Sequence, residues 1–185
     1  MTEGPVYDLH RTVVLVGMMG SGKTVIGRAL SARLAVPFVD SDAAIEEAAA
    51  ATITEIFERD GEAFFREREA AVLRRLLSGA PGIVSTGGGA FLAPSNRAAI
   101  AEMGVALWLN VDLETLWRRV RQKDTRPLLR TLDPRATLAR IYEERTPVYA
   151  RAGLQLDVKG DASIDETTQG VIDVLLTRPD ILETA

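Results

Sequence analysis

Hydrophobic positions along the chain form five short apolar runs, and each run is followed by a turn and then by a segment with helical periodicity. Short apolar runs bounded by glycine or acidic residues are typical of strands that are buried on both faces. Their regular alternation with helices predicts a parallel sheet flanked by helices, so we expect an α/β fold. The predicted strands are residues 12–16, 38–39, 83–84, 105–109 and 154–158.

The same pattern predicts eight helices, and several have recognisable end signals. Gly79 follows the helix predicted at 62–77, Asp112 can cap the helix predicted at 113–121, and Pro134 suits the first turn of the helix predicted at 134–151. Two segments break the alternation: residues 43–79 contain helices without a strand, and residues 123–133 have no strong pattern. Ligands of open α/β sheets bind beyond the carboxyl ends of the strands, so we expect the function to reside in these insertions. The predicted helices are residues 23–34, 43–50, 54–60, 62–77, 95–102, 113–121, 134–151 and 164–177.

Length and composition limit the classes of protein that fit. With 185 residues, 46% of them hydrophobic, the chain can build one sizeable core, so we expect a single domain over residues 1–185. An apolar signal segment and a run of roughly 18 apolar residues are both missing, so we expect a cytoplasmic protein without a membrane partner. The chain has no cysteine, and His10 is its single histidine. Thiolate, zinc–thiolate and Ser-His-Asp chemistry are therefore excluded.

Charge is unevenly distributed. The net charge of −4 argues against a protein that binds nucleic acid through its phosphates. Residues 118–135, in contrast, contain seven basic and two acidic side chains. Such a window is either a solvated helix face or a site for an anion.

The segment GMMGSGKT, residues 17–24, has the spacing of a phosphate-binding P-loop and lies between a predicted buried strand and a helix. Glycines allow the backbone to wrap round an anion, so that N–H groups and the helix N-terminus face a phosphate. Lys23 would neutralise the β- and γ-phosphates, and the Thr24 hydroxyl can bind Mg²⁺. The alternative is a flexible turn with an exposed lysine. The segment predicts nucleotide binding but leaves open a kinase, a GTPase switch, a motor or transporter ATPase and a simple binding module.

Two acidic residues follow the second predicted strand in the sequence VDSD. Asp40 and Asp42 are two residues apart, so an extended backbone would direct both carboxylates towards the P-loop. One would then lie beside a metal and the other beside the substrate. The alternative is that Asp42 only caps a helix that begins at Ala43.

Arg66 lies one helical turn from both Glu62 and Glu69 in the sequence GEAFFREREA. It is either a partner in an ordinary surface ion pair or a guanidinium that Glu69 holds for an anionic substrate. After the third predicted strand, glycines at residues 87–89 provide bare backbone that a small ligand can approach, or else form a flexible turn.

Arg126 and Arg145 each lie near a proline, which biases the local backbone away from helix. Two arginines separated by a stretch expected to be mobile suggest a lid over the site.

Taken together, the motifs resemble those of shikimate kinase, a family with a three-layer, nucleoside-monophosphate-kinase-like P-loop fold. The resemblance covers roughly residues 11–151 in the right order, and the segment VKGDAS, residues 158–163, matches only loosely. It implies the strand order 2-3-1-4-5, counted over the five predicted strands. It also implies a substrate-binding insertion at about 41–79, a lid at about 122–133 and a monomer.

The resemblance further implies a transferase that moves the γ-phosphoryl group of ATP, with Mg²⁺, to the 3-hydroxyl of shikimate in aromatic amino-acid biosynthesis. Catalysis would use Lys23, Asp42 and Arg126, with Arg126 as the lid arginine. Arg119 would stack on the adenine. The implied ATP-binding residues are Gly20, Ser21, Gly22, Lys23, Thr24, Val25, Arg119 and Arg126; the implied shikimate-binding residues are Asp42, Arg66, Gly87, Gly88, Gly89 and Arg145; the implied metal ligands are Thr24 and Asp40.

Three rival functions are less consistent with the sequence. A gluconate kinase has a similar P-loop and size, but the glycine run, the FRERE sequence and the RPLL sequence point away from it. A nucleotide kinase would need a base-reading pocket that the sequence does not reveal. A GTPase switch would need a guanine-specificity motif such as N/T-K-x-D, which the chain lacks.

Overall fold

The computed structural model describes residues 4–123 and 129–185, in which a five-stranded parallel sheet is packed between helices. A two-stranded antiparallel sheet lies beside it. The strands are β1 (Tyr7–Leu9), β2 (Thr12–Val16), β3 (Phe38–Asp40), β4 (Ile83–Ser85), β5 (Gly104–Val111), β6 (Leu154–Val158) and β7 (Leu182–Thr184); the helices are α1 (Lys23–Leu34), α2 (Ser41–Ala49), α3 (Ile53–Leu77), α4 (Pro94–Met103), α5 (Leu113–Val120), α6 (Pro134–Tyr149) and α7 (Ile164–Leu176), with a 3₁₀ turn at Ala90–Leu92.

The strand order of the large sheet is β3-β4-β2-β5-β6. Counted over the five predicted strands this is 2-3-1-4-5, so the expected fold class and order are confirmed. In the centre, Val14 pairs with Val84 on one side and Ala106 on the other. Every residue of β2 is buried. The P-loop therefore begins at the most enclosed strand of the sheet.

The direction of the chain places the helices on two faces. From β2 the chain runs through α1 to the sheet edge at β3. It then returns across the sheet, first to β4, next past β2 to β5, and finally to the opposite edge at β6. Right-handed crossovers put α1 on one face and the helices of the return path on the other. Consistently, α1 packs beside α7, while α3 packs beside α4.

The predicted helices are largely confirmed, and the break between the third and fourth predicted helices lies where the pattern placed it. Helix α1 has the predicted bounds. Helix α3 runs from Ile53 to Leu77, but Gly61 has φ 84° and ψ 172°, so the helical backbone is interrupted there. Glycine adopts this conformation without steric cost, which explains the kink. In contrast, the proline bias expected near Arg145 is wrong, because α6 continues through Pro147 to Tyr149.

The start of α2 corrects both interpretations of the acidic pair. The helix begins at Ser41, and its N-cap is Asp40, whose Oδ1 accepts hydrogen bonds from the backbone N–H groups of Asp42 at 2.9 Å and Ala43 at 3.2 Å. Asp42 therefore does not cap the helix. Asp42 is also not extended, because it lies in the first turn of α2. The two acids are therefore close because one caps the helix and the other lies in its first turn, and not because of strand alternation.

Among the residues that the structure describes, buried apolar side chains form two clusters. The larger one fills the space between the sheet and its helices and includes all of the β2 valines. The smaller one joins α2 to α3 and consists of Ala44, Ile45, Ile56, Phe65 and Val72. The segment expected to bind the substrate thus has apolar contacts of its own. Within residues 4–123 and 129–185, none of the helices is long and apolar enough to cross a membrane.

Candidate active site

The P-loop connects β2 to α1 through a backbone path that favours glycine at three positions. Gly17, Gly20 and Gly22 have φ of 146°, 80° and 95°, in the region of positive φ where a side chain is strained. A Cβ placed on Gly20 would also lie 2.7 Å from Cγ1 of Val120. The spacing of glycines in the sequence therefore reflects the backbone conformation of the loop.

Lys23 is buried, with 9% of its surface exposed, in the first turn of α1. Its ammonium group donates hydrogen bonds to the carbonyl oxygen of Gly17 at 2.7 Å and of Met18 at 3.0 Å. The alternative of an exposed lysine in a flexible turn is wrong. The neighbouring Ser21 Oγ is also buried and makes no hydrogen bond to the described residues. A buried hydroxyl of this kind is suited to an added polar group such as a phosphate.

Thr24, Asp40 and Ser85 bring three oxygen atoms together beside the P-loop. Thr24 Oγ1 lies 3.3 Å from Asp40 Oδ2 and 3.4 Å from Ser85 Oγ. Asp40 and Ser85 meet because β3 and β4 are adjacent and these two residues are paired in register. Ser85 was not predicted as a site residue, although it is the last residue of β4 and lies two positions before Gly87.

The donor set of this cluster fits Mg²⁺, which binds hard oxygen ligands and usually takes one or two carboxylates together with water and substrate phosphates. In the part of the chain that the structure describes, there is no group of three or more His, Cys, Asp or Glu side chains that could hold a metal. Phosphate and water oxygens would therefore have to complete the coordination shell.

The glycine segment Gly87–Gly89 lies against three charged side chains that come from three different helices. These glycines are outside the left-handed region, so close approach rather than backbone strain accounts for them. The alternative of a loosely packed turn is wrong. A Cβ placed on Gly87 would lie 2.7 Å from Asp42 Oδ1, one on Gly88 would lie 3.0 Å from Arg145 Nη1, and one on Gly89 would lie 2.6 Å from Arg66 Nη2.

Arg66 is held by Glu69, as the functional interpretation of its sequence expected. Arg66 Nη1 donates a 2.8 Å hydrogen bond to Oε1 of Glu69, which is only 2% exposed. Glu62 is farther away, 3.7 Å from Nε. Burial raises the pKa of Glu69, and the charge and hydrogen bond of Arg66 lower it. A partner this deeply buried does not form an ordinary surface ion pair, and Arg66 turns its other terminal nitrogen towards Gly89.

Arg145 and Tyr149 are one turn apart on α6 and both face Gly88. The Tyr149 hydroxyl donates a 2.7 Å hydrogen bond to the Gly88 carbonyl oxygen. Burial raises the pKa of Tyr149, whereas the charge and hydrogen bond of Arg145 lower it. The sequence did not single out Tyr149, although it lies in the ERTPVYA stretch that contains Arg145.

Asp42 has the most perturbed carboxyl group near the glycine segment. Burial raises its pKa from 3.8 to about 6; the charges of Asp40 and Glu69 act in the same direction, and Lys23 opposes them. A carboxylate with a pKa this close to neutrality can accept a proton during a reaction and still be mostly ionised beforehand.

A cavity of about 700 Å³ extends from the P-loop to the N-terminus of α7. All six predicted P-loop contacts, residues 20–25, line it, together with Gly87 and Gly88. Arg119 also lines it, and its Nη1 donates a 3.1 Å hydrogen bond to the Gly20 carbonyl. The far wall is formed by Val158 and residues 162–164. The loosely matching segment VKGDAS thus contributes to this wall, but Lys159 lies outside it.

The predicted residues are therefore brought together in two adjoining groups. The P-loop, Arg119 and the first two glycines surround the cavity, and three charged side chains contact the glycine segment from α2, α3 and α6. Arg126 lies outside the described residues, as does part of the predicted lid at 122–133.

The family model for shikimate kinase matches residues 19–176 of this chain. A shikimate kinase from Ruegeria pomeroyi is 61% identical over 181 residues, which cover 98% of this chain and 93% of that protein. A solved structure of shikimate kinase from Acinetobacter baumannii in complex with shikimate superimposes with a TM-score of 0.84 at 34% identity, over 90% of this chain and 93% of the other.

A gluconokinase from Sinorhizobium meliloti gives a TM-score of 0.58 at 15% identity, over 93% of this chain and 94% of the other. At this identity the likeness shows a shared fold alone. The family model and the high identity to a curated relative therefore decide between the two kinds of kinase, and they agree with the motifs. The chain belongs to the shikimate kinase family, whose members are ATP-dependent kinases.

Proposed function

We propose that this chain transfers the γ-phosphoryl group of ATP to the 3-hydroxyl of shikimate, releasing ADP and shikimate 3-phosphate for aromatic amino-acid biosynthesis. The observation that carries the proposal is the convergence of Asp42, Arg66 and Arg145 on consecutive glycines next to a P-loop cavity. One acid and two guanidiniums match a small molecule that has hydroxyl groups and one carboxylate.

Arg66 and Arg145 bind the shikimate carboxylate in this proposal. Their nearest nitrogens approach neighbouring glycines, Gly89 and Gly88, so both can reach one planar anion. A guanidinium offers parallel N–H donors that match the two carboxylate oxygens, and Glu69 keeps the Arg66 fork in a fixed orientation. Asp42 holds the ring hydroxyls beside Gly87. The segment 41–79, with its separate apolar cluster, serves as the substrate-binding insertion.

ATP binds with its phosphates on residues 20–25 of the P-loop. Backbone N–H groups, the N-terminus of α1 and the Lys23 ammonium neutralise the β- and γ-phosphates. Thr24 and Asp40 would hold Mg²⁺, which would shield the charge on the phosphates. Arg119, already fixed beside the P-loop by its bond to Gly20, stacks on the adenine.

Phosphoryl transfer proceeds through a loose transition state, so positioning and charge neutralisation matter more than covalent help. Asp42 orients the attacking hydroxyl and accepts its proton late in the transfer, for which a pKa of about 6 is suited. Lys23 and Arg126 neutralise the transferring group. Closure of the lid at 122–133 excludes water, which would otherwise compete as the acceptor.

A coupled assay of ADP release tests the proposal. Shikimate, gluconate and nucleoside monophosphates are compared as acceptors with the same enzyme, ATP and Mg²⁺. Of these acceptors, we expect only shikimate to give rapid turnover. Faster turnover with gluconate or with a nucleoside monophosphate would contradict the proposal. A monomer and a cytoplasmic location stay predictions, and sedimentation analysis of the purified chain tests the first of them.

A further inference from the structure

We infer that Tyr149 is a positioning residue of the shikimate site, because its hydroxyl ties helix α6 to the glycine segment that faces the substrate. The Tyr149 hydroxyl donates to the Gly88 carbonyl oxygen at 2.7 Å. A Cβ placed on the same glycine would lie 3.0 Å from Arg145 Nη1 and 3.9 Å from the Tyr149 hydroxyl oxygen. One phenol therefore lies next to both the backbone and the guanidinium of the site. This inference rests on the proposed function.

Packing alone does not explain a hydroxyl at this position. The Tyr149 ring is 1% exposed and lies 6.3 Å from the Trp108 ring, a contact that phenylalanine would make equally well. A buried hydroxyl costs stability unless it is hydrogen-bonded. Here its hydrogen-bond acceptor is the Gly88 carbonyl oxygen in the loop after β4, and not a group of a neighbouring helix. The hydroxyl fixes the distance between α6 and the glycine segment.

That distance matters because the two carboxylate-binding arginines come from different helices. Arg66 reaches Gly89 from α3, and Arg145 reaches Gly88 from α6. Arg145 and Tyr149 are four residues apart, so they share a helix face and move together. Tyr149 therefore acts through Arg145 and Gly88 and sets the separation of the two guanidiniums.

The direct test compares Tyr149→Phe with Tyr142→Phe. Tyr142 lies two turns earlier on the same helix and is half-buried, and its hydroxyl makes no hydrogen bond to the described residues. Both substitutions remove one phenol oxygen and nothing else. We expect Tyr149→Phe to raise the shikimate Kd and KM about five- to tenfold, the loss typical of one hydrogen bond, while kcat stays within about twofold. The KM for ATP should be unchanged, and Tyr142→Phe should match the wild type in all respects.

Wild-type affinity for shikimate in Tyr149→Phe would overturn the inference. Equal losses for ATP and shikimate that follow a lower melting temperature would also overturn it, in favour of a packing role. If Tyr149→Phe unfolds below the assay temperature, Tyr149→4-aminophenylalanine restores a donor of similar shape. That variant should bind shikimate like the wild type, and failure to do so counts against the inference.

A double-mutant cycle supplies a second measurement. In an Arg145→Lys background, Tyr149→Phe should add little further loss of shikimate affinity, because both changes disturb the same contact. Fully additive losses would contradict positioning through Arg145. The proposed function fails separately: it is wrong if the wild type does not phosphorylate shikimate, whereas the inference is wrong if wild type and Tyr149→Phe bind shikimate alike.

Discussion

Replacing Asp42 by asparagine is expected to stabilise the metal-free and ligand-free protein at neutral pH, even though it should abolish activity. Burial and the charges of Asp40 and Glu69 raise the pKa of Asp42 from 3.8 to about 6. The folded protein therefore holds this carboxylate less favourably than the unfolded chain does. Asparagine has a similar shape but carries no charge, so it removes the cost of ionisation.

The size and sign of the effect follow from proton linkage. A difference of about 2 pKa units corresponds to about 3 kcal/mol, which we reduce to about 1–3 kcal/mol because Asp42 is partly exposed to solvent. Because the folded pKa is raised, the contribution of Asp42 to stability is fully present below pH ~4 and is lost as the pH rises through about 6. The stability gained by Asp42→Asn should thus be small near pH 4, about half-developed near pH 5 and constant above about pH 7.

Urea unfolding between about pH 5 and pH 8 in the presence of a chelator measures this difference. Asp161→Asn is the control, since Asp161 is exposed in the loop after β6 and its replacement should change stability equally little at every pH. If Asp42→Asn is less stable than the wild type at pH 8, or if its gain does not grow with pH, the reasoning about the burial of Asp42 is refuted. The rate at which Asp42→Asn phosphorylates shikimate should fall by about 10²-fold or more, as expected for the loss of a general base.

Two further changes probe the P-loop and the glycine segment. Lys23→Met should leave a folded protein, judged by its melting temperature, but reduce ADP release to below about a tenth of the wild-type rate, because one charge at the transferring phosphate is worth several kcal/mol. Higher residual turnover would contradict the P-loop assignment. Gly89→Ala would place a Cβ 2.6 Å from Arg66 Nη2, so the shikimate KM should rise by about tenfold or more while the KM for ATP is retained. An unchanged shikimate KM would show that Arg66 can move aside freely.

Features that depend on neighbouring residues could be predicted from the sequence. The P-loop was recognisable because the positive φ angles of Gly17 and Gly22 favour glycine at a fixed spacing. The break in α3 was visible for the same reason at Gly61. The pairing of Arg66 with Glu69 follows from one helical turn, although the burial of Glu69 depends on the helix packing.

Features that depend on tertiary distances could not be predicted in this way. The Tyr149 bond to Gly88 joins residues 61 positions apart, and it forms because α6 packs against the 3₁₀ turn at Ala90–Leu92, directly after the glycine segment. Ser85 joins the Thr24 cluster through the register of two parallel strands, which sequence spacing does not encode. Strands β1 and β7 are three residues each and partly exposed, so they lack the apolar run that marks a buried strand.

The acidic pair shows how a local pattern can give the right neighbours for the wrong reason. Strand alternation predicted that Asp40 and Asp42 would face the same side, but the helix starts one residue after Asp40, which caps it. Both Asp and Ser favour helix N-termini, so the sequence DSD does not reveal which of its residues is the cap. The cap fixes Asp40 beside Thr24 and leaves the Asp42 carboxylate beside Gly87.

The measurement that tests the central claim most directly is the preference of the enzyme for shikimate over its carboxamide analogue, in the wild type, Arg66→Lys and Arg145→Lys. The account predicts that the wild type strongly prefers the acid, because two guanidiniums bind one carboxylate. Each variant should lose about 2–3 kcal/mol of that preference, or ~30–150-fold in affinity, with ATP binding near the wild-type value. Equal use of acid and amide by the wild type would contradict the account.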